Sequence, residues 1–291
     1  MTAPIAPGTA GAGMRPWEYS AFPVQVRRRE QVSPGFVRIT LGGPALARFA
    51  PWGLDQGIKL VLPMADGSAP EFGLLDEPTP HPREWYTRWK ALPVAERNVL
   101  RTYTPSAIRP EAGEIDVDVF VHEPAGPAST WAMTCAVGDG LVLTGPDVRA
   151  GRTGYGIHYA PPRDPPQVLL VGDESSLPAI RNILAALPEG TGGDVLLELA
   201  DPADALLPAL PPGIALEVIG PRGPAGTALE AGVSAWGARR PHAPGEERYA
   251  WVAAESAAAA RIRRRLTAEL GLPRKQVAFR GYWTLGGPLT L

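Results

Sequence analysis

Residues Arg101, Thr102, Tyr103 and Thr104 place a guanidinium, an aromatic ring and hydroxyls close together in a stretch that reads as a strand. A guanidinium presents a planar fork of donors suited to a phosphate. Strand alternation puts Tyr103 on the same face as Arg101, where its ring can pack on a flat heterocycle, and Thr104 supplies a hydroxyl to a polar ring edge. Further on, Gly126-Pro127-Ala128-Ser129-Thr130-Trp131-Ala132 reads as a turn that opens a helix. Its free backbone N–H groups and the positive end of its dipole attract an anion. Two anion sites suit a diphosphate better than a single phosphate, and with a ring-packing tyrosine between them the chemistry expected is that of FAD. Each piece alone is ordinary, since Gly-Pro is a common helix start. The pair, in this order and joined by a clear strand, carries the reading.

These residues need two kinds of framework to position them. Pro23 to Arg29, Gly35 to Leu41, Ile58 to Leu62 with Lys59, Arg101 to Thr104, Glu114 to His122 and Leu141 to Thr144 read as short strands. With one helix inserted before the last, they predict a six-stranded antiparallel barrel. The excursion from Met64 to Asn98 contains a short helix near Glu84 to Leu92, and Trp85, Tyr86 and Trp89 at helical spacing are assigned to packing on the barrel rather than to a site. After Pro161-Pro162-Arg163-Asp164-Pro165-Pro166, a stiff linker, apolar strands such as Val168 to Val171 and Val195 to Leu199 alternate with helices, which predicts a parallel sheet covered on both faces. The expected organisation is therefore a flexible tail over 1–16, a barrel domain over 17–162 and an α/β domain over 163–291.

The turn Gly172-Asp173-Glu174-Ser175-Ser176-Leu177-Pro178 follows the first strand of that sheet, where such a fold holds a ligand. It lacks the Gly-x-Gly-x-x-Gly pattern, and two acidic side chains repel a pyrophosphate. Both also complement a helix N-terminus.

Composition narrows the rest. A chain of 291 residues accommodates two cores, and 28 basic against 30 acidic residues, a net charge of -2, gives no footprint for nucleic acid. Cys135 is the sole cysteine, so neither an intrachain disulfide nor a thiolate zinc cluster can form, and the four histidines show no ligand spacing. No stretch approaches the ~20 apolar residues of a membrane span. The first residues, Met1 to Met14, lack the pattern of a signal peptide, so the expected location is cytoplasmic.

The chain resembles the siderophore-interacting proteins, flavin-dependent ferric-siderophore reductases built like the ferredoxin reductases. The resemblance runs from about Pro23 to Gly286. Its marks are Arg101 to Thr104, the strand ending at His122, Gly126 to Ser129 with Trp131 and Ala132, the loop from Gly172 to Ser175 through Pro178, and Gly281-Tyr282-Trp283. It implies FAD held by Arg101, Thr102, Tyr103 and Thr104, by backbone near Val121 and His122, and by the helix start at Ala128 and Ser129, with Trp131, Ser175 and Trp283 as neighbours. It also implies a small ferric chelate as substrate, and electrons from NADH, NADPH or a ferredoxin-like donor.

Lys59 matches a basic position toward anionic chelates. Gly57 stands where the family often has His, Ser175 where it has Thr, and Thr284 where it has Arg, with Arg280 just upstream. Lys59, Arg280 and Thr284 thus form a reduced basic set. Three functions follow from the resemblance: a ferric-chelate reductase, a flavoprotein of the same fold recruited to a small organic substrate, and a siderophore carrier without activity.

Overall fold

The computed structural model describes residues 18–68, 71–243 and 245–287, so the expected tail over 1–16 lies outside the described residues. Seven strands form the first sheet: β1 Tyr19–Ser33, β2 Phe36–Gly42, β3 Ile58–Val61, β4 Leu100–Tyr103, β5 Ala107–Arg109, β6 Glu114–Phe120 and β7 Gly140–Pro146. Their order is β4-β3-β7-β1-β2-β6-β5, and all pairings are antiparallel.

The two edge strands, β4 and β5, are joined by only Thr104, Pro105 and Ser106. Laid flat, seven strands about 4.8 Å apart would hold those edges ~29 Å from each other. The four Cα steps from Tyr103 to Ala107 reach at most about 15 Å. The sheet must therefore curl almost closed, and the Ser106 N–H bonds the Asp116 carbonyl at 2.8 Å to finish the turn. The expected six strands become seven because β5 is three residues long, too short to show alternation.

Apolar side chains of the barrel strands, among them Phe22, Ile39, Leu60, Val117 and Leu143, fill the interior. Helix α2, Pro127–Thr134, contributes Ala128, Ala132 and, through its end, Cys135 to the same core. Helix α1, Pro82–Ala91, buries Trp85 beside Phe72, Leu74 and Val61 on the outside of the barrel, the packing role expected of it.

The second sheet is parallel, in the order β10-β9-β8-β11-β12, with β8 Gln167–Asp173, β9 Gly192–Glu198, β10 Ile214–Ile219, β11 Arg248–Glu255 and β12 Val277–Trp283. Helix α3, Leu177–Ala186, covers one face through Ile180, Ile183 and Leu184. Helices α4, Thr227–Arg239, and α5, Ser256–Arg264, cover the other through Leu229, Val233, Ala259 and Ile262.

The α3 face also meets the barrel. Phe36 and Tyr159 belong to its core, with Phe120 and Leu54 packed against it. Asp55, 1% exposed, accepts the N–H groups of His158 and Tyr159 at 3.0 Å and the Trp251 indole at 3.0 Å. From α3, Arg181 reaches Ser106 O and Asp118, and Asn182 donates to Leu54 O and Pro105 O. At the far side Asp204 accepts from the Ser33 hydroxyl and the Gly35 N–H. A Cβ at Gly35 would come within 2.5 Å of the Asp204 carboxylate, so this junction requires glycine.

Candidate functional site

Strand register settles which side chains of β4 share a face. Tyr103 lies opposite Ile58 and Arg101 opposite Leu60, so both stand on the barrel-core side, where the Tyr103 ring packs. Burial pushes the Tyr103 phenol up to about 12, partly offset by the Arg101 charge. Among the described residues Arg101 forms no ion pair; its guanidinium donates at 2.9 Å to the carbonyl of Leu100. Lys59 lies opposite Thr102 on the other face, and its ammonium donates to the Thr102 hydroxyl at 3.0 Å. Burial lowers that ammonium to about 8.

Helix α2 opens without a cap of its own. Gly126 is extended, Pro127 fills the first position, no acidic residue stands in the first turn and no side chain caps the end. The first N–H groups that the helix cannot satisfy internally belong to Ala128 and Ser129. The Ser129 hydroxyl is already engaged, bonding the Phe120 carbonyl at 3.2 Å and tying α2 to the end of β6. The Val121 N–H is likewise used by the Gly35 carbonyl at 2.8 Å. His122 lies over the helix start, since a Cβ at Gly126 would stand 3.5 Å from its Nε2. The half-buried Trp131 carries a buried indole N–H with no partner among the described residues. A guanidinium without a carboxylate, a helix start without a cap and an orphaned indole donor together fit an elongated anionic ligand such as FAD.

Across from β4 stand the C-terminal ends of the parallel strands. The buried Thr104 hydroxyl is hydrogen-bonded to Tyr282 on β12, and the Tyr282 ring meets Trp251 edge-on at 6.1 Å. Asp173 ends β8 and is turned inward. It accepts from the N–H and hydroxyl of Ser175, from the Glu255 N–H at 3.2 Å and from the Trp283 indole at 2.8 Å. Burial raises its carboxyl despite these donors. A Cβ at Gly172 would lie 1.8 Å from the Ser176 hydroxyl, so the turn closes this tightly only around glycine. Glu174 accepts the Ala200 N–H at 2.7 Å, and burial pushes it up to about 7.

The structure therefore brings Thr104, Tyr282, Trp283 and Ser175 toward one edge, with Arg101 and Tyr103 on the neighbouring strand. Arg280 shares the barrel-facing side of β12 with Ala278 and Tyr282, and its charge is felt by His158 and Tyr282. Parity does not carry that face on to Thr284. A register shift places Gly281 opposite Ala254 but Trp283 opposite Glu255, so Tyr282 is an extra residue and alternation breaks there. The Thr284 hydroxyl instead lies 3.2 Å from Ser256 at the start of α5. Asp55 and Tyr282 escaped the sequence reading as framework of this site. Asp55 sits in a loop with no periodicity, and its three donors come from distant segments.

Comparisons with known proteins identify the family. Residues 25–150 match the siderophore-interacting FAD-binding domain and residues 165–286 match the siderophore-interacting protein family. The chain belongs to the siderophore-interacting protein family. FAD is its cofactor, and a nicotinamide nucleotide is a possible electron donor.

Among solved structures, this siderophore-interacting protein is similar to a siderophore utilization protein from T. fusca, at 25% identity and TM-score 0.74 over 94% of this chain and 97% of that one. It is also similar to SipS from Aeromonas hydrophila, at 26% identity and TM-score 0.69 over 92% and 93%. Among curated relatives, the mycobactin import ATP-binding/permease protein IrtA of Mycolicibacterium smegmatis is 32% identical over 73% of this chain, which spans only 23% of that protein. The NADPH-dependent ferric-chelate reductase of Escherichia coli is 34% identical over 56% of this chain and 55% of its own length. Among the described residues no helix is long and apolar enough to cross a membrane, and no His, Cys, Asp and Glu cluster could hold a metal.

Proposed function

We propose that this chain reduces ferric siderophores or similar ferric chelates, and so releases their iron. The observation that carries the reading is the pairing of an Arg101 guanidinium, which meets no carboxylate among the described residues, with the uncapped start of α2. In this reading residues 17–162 hold the flavin and residues 163–291 receive the electron donor. Arg101 and the Ala128 and Ser129 N–H groups bind the diphosphate, Tyr103 covers a ring face, and the Thr104 hydroxyl meets a polar ring edge. Trp131 donates its orphaned indole N–H to the ligand. Ser175 and Trp283 line the far side, with Trp283 held by Asp173. Bound FAD supplies single-electron reduction of the chelated iron, so no acid, base or nucleophile of the protein is required. The names of relatives, the ferric-chelate reductase of Escherichia coli and the ferric vibriobactin reductase ViuB of Vibrio cholerae, support the substrate class.

A second reading keeps the flavin and changes the substrate to a small organic molecule. Gly57 favours it. A Cβ there would meet nothing nearer than the Gly156 carbonyl at 3.6 Å, so the fold does not demand glycine, and a polar side chain is absent for another reason. Anaerobic reduction of a ferric catecholate and a ferric hydroxamate, each with a colorimetric ferrous trap, decides between the two. Turnover of either chelate above free-FAD controls is expected; none with both overturns the reductase reading.

A further inference from the structure

The last strand of the parallel sheet has an open side. β12 pairs only with β11, so its outer edge meets no strand among the described residues. Such an edge presents a row of backbone N–H and C=O groups able to pair with another chain. Its surroundings are cationic. Seven basic residues and a single acidic one, Glu269, lie between Arg261 and Thr284, against 28 and 30 in the whole chain. Arg261 and Arg265 are taken by Glu230, and Arg265 also by Glu269. Arg263, Arg264, Arg274, Lys275 and Arg280 form no ion pair among the described residues. Strand alternation puts Phe279 on the α5 side with Val277. There Phe279 is 36% exposed, and the Arg263 guanidinium stacks over its ring at 4.6 Å. Arg280 stands on the opposite side, with Ala278 and Tyr282. Arg274 and Lys275 are exposed in the turn that leads into β12.

We propose that the outer edge of β12 is a docking site for an extended acidic segment of a partner protein, which adds to the sheet as a sixth strand. An added strand turns alternate side chains to the two faces. On the α5 side its carboxylates meet Arg263 beside Phe279, and on the other side they meet Arg280. Four of the five unpaired cations are arginines, whose planar forks suit carboxylates. Charge on an edge strand ordinarily keeps chains from pairing. This charge is of one sign, so it sets cation against cation if a second copy approaches, yet attracts an acidic strand. A lipid surface offers no backbone to the open edge, and Phe279, covered by Arg263, does not project for insertion. The inference is independent of iron reduction.

The test is fluorescence anisotropy of a dye-labelled, glutamate-rich peptide of about eight residues, with valine at every third position, titrated with the FAD-loaded protein. Saturable binding is expected, weakened about tenfold when salt rises from about 0.05 to 0.3 M. Arg263→Glu should weaken it at least about fivefold. Lys275→Glu, in an exposed turn, carries the same expectation if Arg263→Glu does not fold. Arg83→Glu, an exposed reversal on α1, should match the wild type. Two further peptides, N-methylated at alternate residues in either register, separate strand pairing from charge alone, and one of them should lose binding. The proposal is overturned by no saturation below about 1 mM, by an equal loss in Arg83→Glu, or by unchanged binding of both methylated peptides. Capture by phosphatidylserine vesicles in place of the peptide overturns it as well.

Discussion

Arg101 and Ser129 both stand at the expected flavin site, yet their side chains do different work. Arg101→Ala removes the charged fork and should cut FAD retention at least tenfold. Ser129→Ala loses only a bond to the Phe120 carbonyl and should cost about threefold or less, because the backbone donors of α2 remain. Flavin absorbance after gel filtration reads both, and equal losses would count against Arg101 as the phosphate partner. Lys59 carries a pH prediction. Since burial lowers its ammonium to about 8, the charge is present below that pH and lost above it. The apparent KM for an anionic ferric catecholate should rise between pH 7 and 9, Lys59→Met should flatten the profile, and a neutral hydroxamate should show little of it. A catecholate profile unchanged by Lys59→Met would remove Lys59 from the substrate's surroundings. Much of this was legible from Arg101, Tyr103 and Gly126, whose chemistry does not depend on distant contacts. That Ser129 and Val121 spend their polar groups inside the protein was not, because Phe120 and Gly35 approach them only in the folded barrel.

At the level of elements, alternation located the long strands, and continuous apolar runs located the parallel ones. Three features escaped it for physical reasons. Strand β5 is held in place by closure of the sheet rather than by its own pattern. Helix α4 carries Gly232 and Gly237, poor helix residues against which the ends of Ile219 and Leu270 lie, where a Cβ would meet those side chains at 2.4 and 2.5 Å. The bulge at Tyr282 depends on how β12 meets β11. The element-scale prediction concerns Asp55, which collects three donors from the 157–160 segment and β11. Asp55→Ala should orphan the His158, Tyr159 and Trp251 N–H groups and destabilise the protein by about 3 kcal/mol. A denaturant midpoint shifted by less than a third of that would show that water replaces the carboxylate.

On the scale of the whole molecule, flavin binding and folding are linked, since Arg101 and Thr104 lie in and beside the edge strand that closes the barrel. A ligand held a thousandfold below its free concentration stabilises the folded state by about 4 kcal/mol. Stripping FAD should therefore lower the melting temperature by several degrees, and adding FAD back should restore it; identical melting curves would separate the flavin from the barrel edge. The contacts between the sheets have a kinetic meaning of their own. Asp55, Arg181, Asn182 and Asp204 fasten barrel and parallel sheet from both sides of their junction. Such a junction does not hinge like a pair of domains on a swivel. Access to the flavin site is therefore expected to come from local motion at the barrel edge rather than from a swing of one sheet against the other.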